Sequence, residues 1–139
     1  GRRVYNFYFR LLNLTPNQIV KYDSEQYKVI AKVTYSKQDY KFYHYQLKNR
    51  RENFWLYVKP SPKLAVYLFK RLSSRHQLYN KLIGEQTPTI IYNKQIFNLT
   101  EDDQVNVTVQ GDLETIGEAV HYYEYKASTK KSTYSTGSN

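Results

Sequence analysis

The sequence predicts a mostly β chain: two antiparallel meanders, related as a pseudo-repeat, forming a sandwich or open barrel with a short helix between them. Three observations predict it. Apolar and polar residues alternate over several short segments, the period of a strand with one buried face. Tyr and Phe, both strand-favouring, number 16 and 6 in 139 residues. Clusters of Asp, Ser, Asn, Pro and Gly separate the segments at turn-like spacing.

Taken in chain order, Ile19-Val20-Lys21-Tyr22 runs into the turn formers Asp23-Ser24-Glu25. Beyond them Tyr27, Val29, Ala31, Val33 and Tyr35 alternate with Lys28, Ile30, Lys32 and Thr34. This predicts a hairpin with one buried face. Ser36-Lys37-Gln38-Asp39 makes the next turn, and residues 40–47 (YKFYHYQL) alternate again, with Phe42 and Leu47 among them. Asn49-Arg50-Arg51-Glu52-Asn53 reads as a polar loop. Phe54-Trp55-Leu56-Tyr57-Val58 is a short strand ended by Lys59-Pro60-Ser61-Pro62.

Between residues 63 and 84 the period changes, with Leu64, Leu68, Leu72, Leu78, Leu82 and Ile83 set among Lys and Arg. Val66, Tyr67 and Phe69 fit a strand as well as a helix, so the helix is assigned to residues 73–83, with Ser73 or Ser74 as N-cap and Gly84 as C-cap. The C-terminal third then repeats the grammar of the first. Tyr22, Tyr27 and Val29 have counterparts in Tyr92, Phe97 and Leu99, each set preceded by a Thr-Pro (Thr15-Pro16, Thr87-Pro88). Phe42-Tyr43-His44-Tyr45 is echoed by His121-Tyr122-Tyr123-Glu124-Tyr125, and between them Val105, Val107 and Val109 alternate up to a turn at Gly111-Asp112. The organisation expected is an N-terminal docking segment (1–14), one β domain (15–127, with meanders 15–60 and 87–127 and a connector 61–86) and a disordered tail (128–139).

At this point the chain resembles a known family. Residues 15–58 are similar to the start of the bacterial family called domain of unknown function 4178, through Val20, Tyr22, Tyr27, Val29, Tyr35, the aromatic strand 43–47 and Trp55-Leu56. The family's second half is similar to residues 91–99 and 122–125. Ala31 stands where that family usually has Gly, Asn17-Gln18 replaces a Gly-Asp start, and Lys59-Pro60 replaces an acidic residue. The resemblance implies a β-rich, cytoplasmic bacterial domain with no established activity, and it brings no catalytic residues.

Composition excludes several kinds of chemistry. With no Cys there is neither a disulfide framework, nor a thiol nucleophile, nor a Cys-ligated metal. His44, His76 and His121 share no ligand spacing, so no metal and no other cofactor is expected. No Gly-rich phosphate loop or nucleophile elbow occurs. Glu101-Asp102-Asp103, followed by Asp112, Glu114 and Glu118, fits no calcium loop and reads as a solvated turn. An enzyme is therefore not expected, and no small-molecule substrate. Were there one, it would lie in a cleft between the meanders where His44 and His121 meet.

Charge and aromatics point to binding instead. The net charge is +9, but residues 1–80 hold 16 basic against 4 acidic groups, while residues 81–139 hold 5 against 8. A field this lopsided attracts nucleic acid, anionic headgroups or acidic proteins. Arg50, Arg51, Trp55, Lys59, Lys63, Lys70, Arg71 and Arg75 interleave cations with aromatic faces, the pattern that stacks bases and neutralises phosphates. Against this stands the number of Tyr, too many for the interior of so small a domain, and Tyr is a residue that interfaces favour. The primary expectation is a non-enzymatic protein-interaction or assembly module, self-association included; single-stranded RNA or DNA binding is the alternative. A third reading is a membrane-associated accessory protein, with Arg2, Arg3, Arg10 and the aromatics of residues 4–12 against an anionic surface.

Overall fold

The computed structural model describes residues 13–84, 86–113 and 117–128. Strands make up 61% of them. The elements are β1 (Ile19–Tyr22), β2 (Glu25–Lys37), β3 (Tyr40–Lys48), β4 (Asn53–Lys59), β5 (Ala65–Phe69), α1 (Tyr79–Ile83), β6 (Thr89–Tyr92), β7 (Gln95–Gly111) and β8 (Ala119–Ala127). All the strand pairings with a defined register are antiparallel, and the order is β5-β4-β3-β2-β7-β6, with β1 added on β2 and β8 on β7. The predicted docking segment up to residue 12 and the predicted tail beyond Ser128 lie outside the described residues. No described helix is long and apolar enough to cross a membrane.

The two meanders are joined along an edge, where residues 31–36 of β2 pair with residues 106–111 of β7. Their opening hairpins are near copies. In β1/β2 the pairs run Ile19 with Lys28 to Tyr22 with Glu25; in β6/β7 they run Thr89 with Asn98 to Tyr92 with Gln95, each position 70 residues later. Both turns hold two residues at positive φ, Asp23 (52°) with Ser24 (65°) and Asn93 (54°) with Lys94 (64°), which is the two-residue turn whose twist suits a hairpin. The Val29 N–H donates to the Gln18 carbonyl, and the Leu99 N–H to that of Pro88, again at the same offset. The ladder joining β2 to β7 keeps the symmetry: Ser36 lies opposite Asn106, its own counterpart.

The chain divides into two compact units, the first within Gly1–Arg71 and Val105–Val120, the second within Leu72–Gln104 and His121–Asn139. In the first, β2 is long enough to change partners along one edge, from β1 to β7, and one extra residue marks the exchange. Val29 pairs with Leu47 but Ala31 pairs with Gln46, so β2 carries a bulge at Ile30. Side chains alternate faces along a strand, and one inserted residue reverses the alternation. The expected single buried face of β2 is therefore two faces. Tyr27 and Val29 join Leu14, Tyr45, Leu47, Leu56 and Val58 in one apolar cluster. Beyond the bulge, Val33 and Tyr35 share the opposite face with their pairing partners His44 and Phe42.

Gly111 closes this corner. It sits at φ +97°, and a Cβ there would collide with the Ile30 carbonyl oxygen and lie 3.0 Å from both Ala31 Cα and Pro16 Cγ. The same carbonyl accepts the Asp112 N–H at 3.1 Å. Glycine is required because the bulge pushes backbone into the space a side chain would fill.

Three sequence expectations need correction. The helix expected over 73–83 forms only over Tyr79–Ile83, with Leu78 at its N-cap and no side-chain cap. Upstream, Ser73 Oγ accepts the Arg75 N–H and His76 Nδ1 accepts the Leu78 N–H, local bonds that compete with helix. Gly84 at its end is extended, φ −86° and ψ −157°, not left-handed. Residues 65–69, within the connector, form β5, the strand that Val66, Tyr67 and Phe69 fit in the sequence, which needs no correction. The acidic run Glu101-Asp102-Asp103 is not a turn but the middle of the 17-residue β7, held against β8, where Thr100 Oγ1 donates to the Glu124 carbonyl and Asp102 meets His121.

Candidate binding surfaces

Three places on the first unit bring chemistry-bearing side chains together. The first is an aromatic box on the face that β2 presents beyond its bulge. Cross-strand pairing aligns Val33 with His44, His44 with Tyr57, and Tyr57 with Tyr67, and aligns Trp55 with Phe69. The His44 ring lies 4.7 Å from Tyr35, 4.7 Å from Phe69 and 5.5 Å from Tyr57. Removal from water, with the nearby Arg71 charge second, pushes the imidazole down to about 3. It is neutral across the physiological range. The Arg71 guanidinium stands 4.2 Å over the Trp55 ring, and Trp55 stacks on Phe69 at 5.9 Å. A cation on an indole face is worth about 0.5–2 kcal/mol.

The second place is the free edge of β5. Among the described residues no strand pairs with its outer side. Val66, Tyr67 and Leu68 are all exposed, Leu68 at 53%. A cavity of about 350 Å³ reaches to this strand from β1, β2 and β4, lined by Tyr22, Tyr27, Glu52, Phe54, Leu68 and Lys70, among others. Its floor is fixed: Tyr27 meets Phe54 edge to face at 4.9 Å and donates its hydroxyl to Glu52 Oε2 at 2.6 Å. That hydrogen bond is the main reason the Tyr27 hydroxyl is raised to about 12.

The third is a basic groove of about 400 Å³ that includes Ile19, Lys28, Lys48, Arg50 and Arg51. The loop behind it is pinned by Asn49, whose Oδ1 accepts the backbone N–H groups of Arg51 at 2.9 Å and Glu52 at 2.8 Å. Arg51 forms an ion pair with Glu25.

The eight cationic and aromatic residues expected to form one surface are thus divided. Only Arg50 and Arg51 share a groove. Trp55 is buried, 5% exposed, beneath Arg71, and offers no free face for a base. Lys59 lies over Tyr40 at 4.9 Å, Lys70 lines the cavity beside β5, Lys63 is exposed after β4, and Arg75 belongs to the second unit. His44 and His121 also have separate surroundings, His44 in the aromatic box and His121 ion-paired with Asp102 and stacked on Tyr123 at 4.5 Å. Sequence reasoning missed Lys28 and Lys48, whose signal was their position in the strand register.

A family model described as domain of unknown function (DUF4178) matches residues 15–136. The chain belongs to the DUF4178 family. The match takes in every described strand, both hairpins and all three surfaces, and begins at the Thr15 that opens the first repeat. No curated protein and no solved structure matches the chain. For this DUF4178 domain a functional reading therefore rests on its own side chains.

Proposed function

We propose that this domain is a non-enzymatic protein-interaction module whose β5 edge takes up an extended segment of a partner protein. One observation carries the reading: β5 has no partner on its outer side among the described residues, and it exposes three consecutive hydrophobic residues, Val66, Tyr67 and Leu68. Free strand edges are ordinarily blunted by charge, proline or cover, because they template further pairing. Strand addition draws affinity from main-chain hydrogen bonds and specificity from pockets for alternate side chains. The cavity of Tyr22, Tyr27, Phe54 and Leu68 supplies such a pocket at this strand. Lys63 and Lys70 flank β5 and are exposed, so the segment that fits is apolar at its centre with acidic residues at its ends.

The test is selection of displayed random peptides on the full chain, with counter-selection on the Val66→Lys, Leu68→Lys double variant. The selected peptides are expected to alternate apolar residues between acidic flanks, and to slow amide exchange within Ala65–Phe69. Peptides that bind both proteins equally, or that protect other strands, overturn the reading.

A further inference from the structure

The basic groove calls for a ligand of its own, independent of the β5 edge. Lys28 and Lys48 are direct cross-strand partners, so two ammonium groups project side by side from adjacent strands. Like charges placed opposite each other destabilise a sheet. Within the groove relief is small: the one acidic residue lining it, Glu25, is engaged by Arg51, and Asp112 shares only a separate cavity with Lys28. Among the described residues the side chains of Lys28, Lys48 and Arg50 have neither ion pair nor hydrogen-bond partner. The lining thus carries four cations against one anion.

We infer that this groove binds a compact polyphosphate group, a diphosphate free or carried on a nucleoside, between Lys28, Lys48 and Arg50. An anion between the two lysines converts their repulsion into attraction, and the Arg50 fork donates two parallel hydrogen bonds to phosphate oxygens. The Asn49 turn holds the loop in one conformation before binding, which lowers the ordering cost. Size favours a small molecule over a nucleic-acid strand. The groove of about 400 Å³ is in the range of ligand sites, and among the described residues the cations singled out from the sequence do not continue from it as a track. Arg71 is over Trp55, Lys59 over Tyr40, and Lys70 beside another cavity. Ile19, 61% exposed at the groove's margin, offers a nucleoside an apolar contact.

Titration calorimetry of the full chain with pyrophosphate, ADP, sulfate and a single-stranded oligonucleotide tests this. Lys48→Glu sets an opposite charge against Lys28, so the strand pairing is kept while the site loses two of its charges. Pyrophosphate is expected to bind at least tenfold more tightly than sulfate, and Lys48→Glu and Arg50→Glu each to weaken it at least tenfold. Lys63→Glu makes the same change of net charge outside the groove and is expected to alter binding less than twofold. ADP binding tighter than pyrophosphate supports the nucleoside-borne form with Ile19 in contact, and equal affinity supports recognition of the diphosphate alone. Equal weakening by Lys63→Glu and Lys48→Glu, no preference over sulfate, or tighter binding of the oligonucleotide overturns the inference.

Discussion

At the scale of single residues, the chain spends its aromatic side chains on enclosing polar groups. His44 is the sharpest case. Its imidazole has an ordinary value near 6.5 when exposed and about 3 in the aromatic box. The native state therefore refuses a proton that the unfolded chain accepts. The stability this group supplies is complete above about pH 6.5 and is lost as pH falls from there toward 3, at up to about 1.4 kcal/mol per pH unit. Urea unfolding of wild type and His44→Phe between pH 7 and pH 4 checks it: the wild-type curve should fall more steeply, and parallel curves would refute the assignment. Arg71→Gln removes the second cause of the shift, so the imidazole should titrate at higher pH by NMR. Gly111 makes a second test, since alanine there combines a positive φ with a backbone collision. Gly111→Ala is expected to cost at least about 2 kcal/mol, read from the denaturation midpoint. Burial at this scale was only partly legible in the sequence. Trp55 between Phe54 and Leu56 reads as apolar, but that Arg71 lies over its ring depends on β5 pairing with β4, which spacing alone does not disclose.

At the scale of elements, the hairpins were legible and the bulge was not. The shared spacing of Tyr22, Tyr27 and Val29 with Tyr92, Phe97 and Leu99 marks two hairpins, because both end in the same turn and the same register follows from it. Strict alternation from Tyr27 to Tyr35 carries no trace of the extra residue, since every second position stays apolar on both sides of it. What shows the insertion is the partner strand, where Leu47 and Gln46 point to opposite faces while Val29 and Ala31 pair with them. The helix was legible as a location and overstated in length, because Ser73 and His76 bind backbone N–H groups that a longer helix would use. The turns yield a prediction at this scale. Ser24 and Lys94 are held at φ 65° and 64°, where a side chain is strained and glycine is not. Ser24→Gly and Lys94→Gly should each raise stability by about 0.5–1 kcal/mol, after the entropy glycine adds to the unfolded chain is set against the relieved strain. A fall in the urea midpoint of either variant would show that the two-residue turn is not the one formed.

At the scale of the whole molecule, a repeated topology carries an unequal interior. The two hairpins share register, turn conformation and closing hydrogen bond at a 70-residue offset, yet among the described residues every buried apolar one lies in the first unit. Full burial of a side chain such as Phe42 or Val58 stabilises by about 1.5–3 kcal/mol, and the first unit holds the whole set from Leu14 to Val107. Among the residues of the second unit whose side chains are described none is buried; its segments are linked by side-chain hydrogen bonds such as Tyr125 to the Thr87 carbonyl at 2.7 Å and Asn98 to Ser128 Oγ at 2.6 Å. A solvated hydrogen bond contributes about 1 kcal/mol net, less than a buried aromatic side chain. The charge division of the sequence, +12 over residues 1–80 and −3 over 81–139, points the same way, the acidic strands being set for solvent rather than for a core. The second unit should therefore open without the first. In native-state hydrogen exchange, amides of Thr89–Tyr92 and of residues 121–127 are expected to exchange through openings at least about 2 kcal/mol less costly than those releasing β2 and β3. Leu99→Ala should lower the cost of the former while leaving the latter unchanged within error. Equal protection across all eight strands would mean instead that the shared β7 makes the molecule unfold as one, and that burial in the first unit stabilises both.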